Sequence, residues 1–364
     1  MKKSPFFNNC FSVIYDYFCK KKYIPCKIMP KIIDISKWNK ELHVHTTGTR
    51  NKFIVISPKD EKFYFKSSLK KKNKDYKYEF WSEVIASKVG YMLNFDVISY
   101  NVAYFENEIG CISKSIIDEK DEEHHEGYRY IVEKYPDFKT NFKKTHSFQK
   151  IAEALKSIDS EHCIKGIIKM IIFDAIIGNT DRHSENWAIV ITGKEIYQIL
   201  KDMHSVSFWN KLIYNIHLTY KFRRRITIAR IQKRYRRGYY KLSPLYDNGS
   251  SLGRELDESR INEYLNNQEK LIHFINKGKP DIRWNDKHLN HLELIRTIRL
   301  DYPNEVNSAI NEIKQRYNKN KLIEIIDNID KRIPPKFVEY TIPQNRKQFI
   351  IKYIDLRINS IIEL

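Results

Sequence analysis

The chain has 364 residues, 41% of them hydrophobic, with 65 Lys and Arg against 45 Asp and Glu, a formal net charge of +20 and a pI near 9.4. That length exceeds a usual single core and predicts two lobes or domains, while 11 Gly and 11 Pro are too few for a long disordered linker. The charge excess favours anionic partners (nucleic acid, an acidic membrane surface, nucleotide phosphates or an acidic protein) without choosing among them.

No apolar run is long enough to cross a membrane. Asn8, Asn9 and Asp16 break up the first apolar stretch, so a cleavable signal core is not expected. The five cysteines, Cys10, Cys19, Cys26, Cys111 and Cys163, form neither an even framework nor a C-x-x-C pair, and the three within the first 26 residues lack His or acidic ligands at zinc spacing. They read as reduced thiols in a cytoplasmic compartment, with export by a route lacking a cleavable signal left open.

Residues 1–40 read as a peripheral N-terminal extension, either a helix packed on a lobe or one lying on a membrane surface. Leu42–His45, Lys52–Ser57 and Lys62–Ser67 alternate as strands, with turns at Thr46–Asn51 and Pro58–Glu61. Residues 76–94 have the spacing of an amphipathic helix that carries Glu79 and Glu83. Strands follow near 96–105 and 109–117. The acid-rich Asp118–Glu126 reads as an exposed crossover with His124 and His125 solvated. Residues 41–125 are then a small lobe and 126–364 a helical large lobe.

Apolar residues at 164, 167, 168, 171, 172, 175 and 176 recur at helical spacing, which predicts a buried helix. Gly178 stands where such a helix needs a left-handed residue to stop. A polar loop, Asn179–Asn186, precedes the apolar run Trp187–Ile191, which predicts a strand. Residues 194–242 form a basic insertion: it carries eleven cations between Lys211 and Lys241, interleaved with aromatics, and no acid lies between 203 and 246. Such a segment suits phosphate-backbone contact with stacking, an anionic membrane, or a solvated helical hairpin. Helical patterns at 261–277, 287–300, 304–318, 320–331 and 345–363 complete the chain, bounded by Pro303, Pro334, Pro335 and Pro343.

The chemistry-bearing residues lie on either side of the insertion. In the loop, Asp181 offers a carboxylate that could orient and deprotonate a hydroxyl, and Asn186 a neutral oxygen for Mg²⁺. This is the D-x-x-x-x-N spacing of a kinase catalytic loop, although Asp and Asn are also common capping residues in loops. In Ser243–Gly253, Asp247 lies between a short apolar run and a Gly-bearing turn, the setting of a second metal-binding Asp. Asn186 and Asp247 are 61 positions apart, against about twenty in ordinary protein kinases.

Together, G-N-T-D-R-H-S-E-N-W and P-L-Y-D-N-G-S-S-L resemble the HipA-like kinases, which include HipA toxins and CtkA-type bacterial Ser/Thr kinases. The D-R-H-x-x-N core is also similar to that of phosphatidylinositol kinases. The resemblance covers roughly Leu42–Gly253 and implies an α+β, bilobal protein-kinase-like fold with a small antiparallel sheet lobe. It implies ATP and Mg²⁺ as cofactors and transfer of the γ-phosphoryl group to a protein Ser or Thr. Asp181 would be the base, Asn186 and Asp247 the metal ligands, and Lys66 the phosphate-contacting lysine, with Lys62 as the alternative. Glu83, or Glu79 a turn earlier, would fix that lysine. Thr47, Gly48 and Thr49 would cover the phosphates, and Thr46, Thr47 or Thr49 would be open to autophosphorylation. Ser113 and Ser115 would lie in the passage that holds adenine, and Arg182 and His183 would frame the catalytic loop. No antitoxin-docking subdomain is identifiable, which favours the shorter CtkA-like members over toxins. A lipid kinase and a nucleic-acid-associated toxin kinase are the alternatives.

Overall fold

The computed structural model describes residues 29–41, 52–71, 74–119, 121–139, 145–192 and 240–364. The phosphate loop Thr47-Gly48-Thr49, the first 28 residues and most of the basic insertion lie outside them.

Strands β1 (Ile32–Asp34), β2 (Asn39–Lys40), β3 (Lys52–Ile56) and β4 (Lys62–Ser67) open the chain, followed by a short pair, β5 (Lys70–Lys71) and β6 (Lys74–Asp75). Helix α1 (Glu79–Met92) precedes β7 (Tyr100–Phe105) and β8 (Glu108–Lys114). Six of these strands form one sheet in the order β1-β7-β8-β4-β3-β2. Its pairings are antiparallel except β1 with β7, which is parallel. Ile32–Lys40 is therefore integral to the sheet rather than peripheral, and Ile35 is fully buried.

The alternation in β4 decides which residues meet the rest of the protein. Phe65 points to a small core with Ile35, Phe53, Val55, Ala103 and Ile112, and Phe63 packs against it. Lys62, Tyr64 and Lys66 alternate to the opposite face. There α1 packs on β7 and β8 with Val84, Ile85 and Val89 buried, joining the main core.

The acidic Glu122–Glu126 is a strand, β9, and not an exposed crossover. It pairs antiparallel with β10 (Ala188–Thr192), which pairs in turn with β11 (Tyr240–Leu242). His124 and His125 are accordingly half-buried, and burial lowers the His124 pKa. The pairing of β10 with β11 also accounts for the long separation of Asn186 from Asp247. The basic segment leaves from one strand of a hairpin and returns on the other, and its last residues, Tyr240–Leu242, belong to β11.

The helices α2 (Gly127–Lys134), α3 (Phe148–Ser157) and α4 (Ile164–Ile177) lie between β9 and β10; α5 (Glu258–Asn266), α6 (Gln268–Lys277), α7 (His291–Asp301), α8 (Pro303–Arg316), α9 (Lys319–Asn328) and α10 (Gln344–Ile362) follow β11. The predicted helix 261–277 is in fact two, divided at Asn267, whose side chain caps α6. Helix α4 is buried on nearly every face and packs against α7, α8 and α10. It stops at Gly178, which is left-handed (φ 68°) with its N–H on Asp174 O. A Cβ there would run into the Tyr353 hydroxyl, so glycine is required by backbone and space alike. The fold is α+β and bilobal: a curled sheet with one helix over a mostly helical body.

Candidate active site

Four elements converge at the junction of sheet and helical body. Lys66, on β4, extends its Nζ to Glu83 Oε1 on α1 and to Asp247 Oδ1, each at 2.5 Å. The second oxygen of Glu83 accepts the Asn248 N–H at 2.7 Å, so this one fully buried carboxylate ties β4 and α1 to the loop after β11. Glu79 is nearly as buried but pairs with Arg254 and accepts the Leu69 N–H at 2.9 Å. Lys62 lies closer to the surface, 2.7 Å from Glu119 and 3.5 Å from Glu41. Of the alternatives open in the sequence, Lys66 and Glu83 are the pair that meets Asp247.

Asp247 is held from two directions. Leu245, two residues earlier, bridges to Val97: Leu245 N–H donates to Asp96 O at 2.8 Å and Ile98 N–H to Leu245 O at 3.0 Å. Downstream, Leu252 N–H donates to Ile177 O, the last residue of α4, at 2.9 Å. Asp247 itself has φ 53°, a region uncommon for a residue with a side chain and frequent where function requires it. Gly249 follows; a Cβ there would approach Glu83 Oε1 to 3.1 Å.

The catalytic-loop candidates are built on the end of α4. Asp174 is buried, and burial pushes its carboxyl up, opposed by the Arg182 guanidinium. Arg182, fully buried, meets both Asp174 oxygens (Nε to Oδ2 2.9 Å, Nη2 to Oδ1 2.7 Å) and also donates to Asn186 O, Tyr246 O and Asn248 Oδ1. One guanidinium thus fastens the loop of Asp181 and Asn186 to the loop of Asp247. Asn179 donates to Asp174 Oδ1 and accepts the Asp181 N–H. Asn186 Nδ2 donates to Asp181 O at 2.7 Å, and Asn186 Oδ1 has no protein donor among the described residues. Asp181 is exposed, and its Oδ2 accepts from the Ser250 hydroxyl at 3.1 Å. The His183 carbonyl accepts the Asn186 N–H at 3.0 Å.

Ser113 is buried in β8, opposite Tyr64 and Tyr100. Ser115 follows the strand with its N–H on Lys62 O and its hydroxyl on Ile117 O. Its polar groups therefore shape the passage out of the sheet. Cys111 faces Lys66 across the ladder, and burial pushes its thiol up, so it is a neutral wall to the cleft. Asp174, Asn179, Asn248 and Ser250 are site residues that motif reading passed over. The signal for Asp174 was a lone carboxylate on the buried face of an apolar helix.

Beside this loop, His146 is buried, and among the described residues neither ring nitrogen has a partner. Burial, with the nearby His183 and Lys150, pushes it down to about 3. An unfolded His titrates near 6.5, so the unfolded chain binds the proton first on acidification. The stability from keeping His146 neutral is intact above pH ~6.5 and is lost as pH falls toward the folded value, at up to about 1.4 kcal/mol per pH unit. His291, also buried and lowered, behaves alike. Melting temperature should therefore fall between pH 6.5 and 4. The His146→Leu variant should show a visibly shallower fall; an unchanged slope would contradict this.

No family model matches the sequence, and no curated protein does either. Among solved structures, the chain is similar to the proinflammatory kinase CtkA of Helicobacter pylori, with a TM-score of 0.64 at 19% identity over 91% of this chain and 97% of that one. HipA from the Shewanella oneidensis MR-1 HipA–HipB–operator DNA complex aligns over 97% of this chain and 70% of that one, at 11% identity and a TM-score of 0.43, too slight a likeness to build on. The architecture reached strand by strand above is the kinase-like fold of CtkA.

Proposed function

We propose that the protein is an ATP- and Mg²⁺-dependent kinase that transfers the γ-phosphoryl group to Ser or Thr of a protein, its own hydroxyls included. The observation that carries this is the convergence of Lys66, Glu83 and Asp247 with the Asp181–Asn186 loop, which Arg182 fastens to the Asp247 loop. Such residues, 181 positions apart at the extremes, gather where nucleotide phosphates and a divalent ion need neutralising.

The donor set fits Mg²⁺. Asp247 gives a carboxylate oxygen and Asn186 an uncommitted amide oxygen, both hard ligands. Mg²⁺ is usually bound through one or two carboxylates together with substrate phosphates. When bound, Mg²⁺ supplies neutralisation of charge on the transferring phosphoryl group. Lys66 supplies a fixed positive charge to the phosphates, and Glu83 holds its ammonium in place. Asp181, exposed and on a loop whose backbone is clamped from beneath, orients the acceptor hydroxyl and takes its proton. Catalysis of this kind rests on positioning and electrostatics, so the buried Arg182 and Glu83 contribute rigidity.

The test is an acceptor panel: labelled ATP with Mg²⁺, offered protein acceptors, phosphoinositide vesicles and the protein alone. Phosphoserine or phosphothreonine should appear in protein acceptors and in the enzyme. Label found only in lipid would replace the protein acceptor with a lipid one; no transfer to any acceptor would remove the kinase reading.

A further inference from the structure

Beyond Asp181 the cleft opens into a cavity of about 580 Å³. Asp181 and Ser250 stand on its wall, together with Arg254, Lys277, Lys279 and the ring of Phe274. Lys66, Glu83, Asn186 and Asp247 do not line it, so it opens on the side of Asp181 away from the nucleotide-holding residues. The Ser250 hydroxyl, which lines this cavity, already reaches Asp181 Oδ2 at 3.1 Å. A hydroxyl arriving from the cavity therefore has access to the base.

The cationic part of the wall is placed by the backbone. Lys277 ends α6, and Lys279 lies in the connection that follows. That connection is tied to the catalytic loop by Asp281 N–H donating to Thr180 O at 3.1 Å, one residue before Asp181. Among the described residues, Lys277 and Lys279 are exposed and neither has an ion-pair partner. Arg254 shares its charge with Glu79. Glu255 and Asp281 are the cavity's other carboxylates, and Arg357 is its remaining cation, buried and already donating to Ala175 O and Ile275 O, so the two exposed lysines carry the selectivity for an anion.

We propose that this cavity receives an anionic side chain of a protein acceptor, a carboxylate or a phosphate, next to the Ser or Thr presented to Asp181, with Lys277 and Lys279 as the recognising charges. This rests on the kinase reading above and names its substrate class. Lysine ammonium groups act as point charges and accept either anion. A membrane-bound headgroup is the poorer fit. The exposed large hydrophobics among the described residues, Ile272, Leu300 and Val338, are scattered over separate elements, whereas seating on a membrane calls for a continuous apolar face.

The experiment measures binding without turnover. Fluorescent Ser peptides flanked by Asp, by phosphoserine, by Ala or by Lys are titrated against the full-length protein with Mg²⁺ and a non-hydrolysable ATP analogue. Wild type should bind both anionic peptides about tenfold more tightly than the Ala peptide, with the gap shrinking as salt rises. In Lys277→Ala/Lys279→Ala the gap should close, and in Lys277→Glu/Lys279→Glu preference should pass to the Lys peptide, with nucleotide affinity and melting temperature unchanged. Equal binding of anionic and neutral peptides by wild type, or discrimination surviving in the double variants, overturns the proposal, as does binding to phosphoinositide vesicles with none to peptides. Charge-selective peptide binding without any phosphoryl transfer would instead leave the anionic site standing and count against the kinase reading alone.

Discussion

Asp181→Asn is expected to lower phosphoryl transfer by about 10²–10⁴-fold, the range that follows loss of a positioned general base, while nucleotide affinity stays close to wild type. Among the described residues, Asp181 hydrogen-bonds only to Ser250 and within its own loop, so neither the Lys66 pair nor the metal-ligand candidates should move. Asp247→Ala is expected to remove transfer as completely and also to weaken Mg²⁺-dependent nucleotide binding, because one carboxylate is lost from both ion and lysine. The fold should survive both changes: Asp181 is exposed, and Lys66 keeps Glu83 when Asp247 is gone. Turnover and isothermal titration with and without Mg²⁺ separate the two. A nucleotide affinity equally reduced in Asp181→Asn and Asp247→Ala would contradict the division of roles.

Arg182→Leu should be the most destabilising single change at the site, by about 3–5 kcal/mol, the cost of leaving a buried partner charge uncompensated. Asp174 would keep its burial and lose both guanidinium bonds, and Asn186 O, Tyr246 O and Asn248 Oδ1 would lose a donor together. Arg182→Lys should recover part of the stability, since an ammonium keeps the charge but not the fork that meets both Asp174 oxygens. Denaturant unfolding of the three proteins gives the order. Arg182→Leu as stable as wild type would show that the clamp is not what joins the two loops.

Much of this architecture is legible in the residues. The apolar spacing of 164–177 and the glycine after it define α4 and its end, and the β4 alternation puts Lys66 on the cleft face. Glu79 and Glu83 cannot be told apart that way. Both lie one turn apart on the same face and both end up buried, so the choice depends on which end of the helix faces β4. Strand β9 is hidden by composition: a run of acids reads as solvated, and only the pairing with β10 makes it a strand. Arg182 reads as a loop-framing residue, but its depth depends on Asp174, which sequence presents as one polar residue among isoleucines. The distance from Asn186 to Asp247 looks like a departure from a kinase until β10 and β11 are seen to close the hairpin around it.

The most direct measurement is a single-turnover reaction of the purified protein with γ-labelled ATP and Mg²⁺, read as phosphoserine and phosphothreonine by mass spectrometry, beside Asp181→Asn. The account predicts label on Ser or Thr in wild type, none without Mg²⁺, and a loss of about 10²-fold or more in the variant. Nucleotide bound by wild type with no phosphate transferred to any hydroxyl, or equal transfer by both proteins, would contradict it.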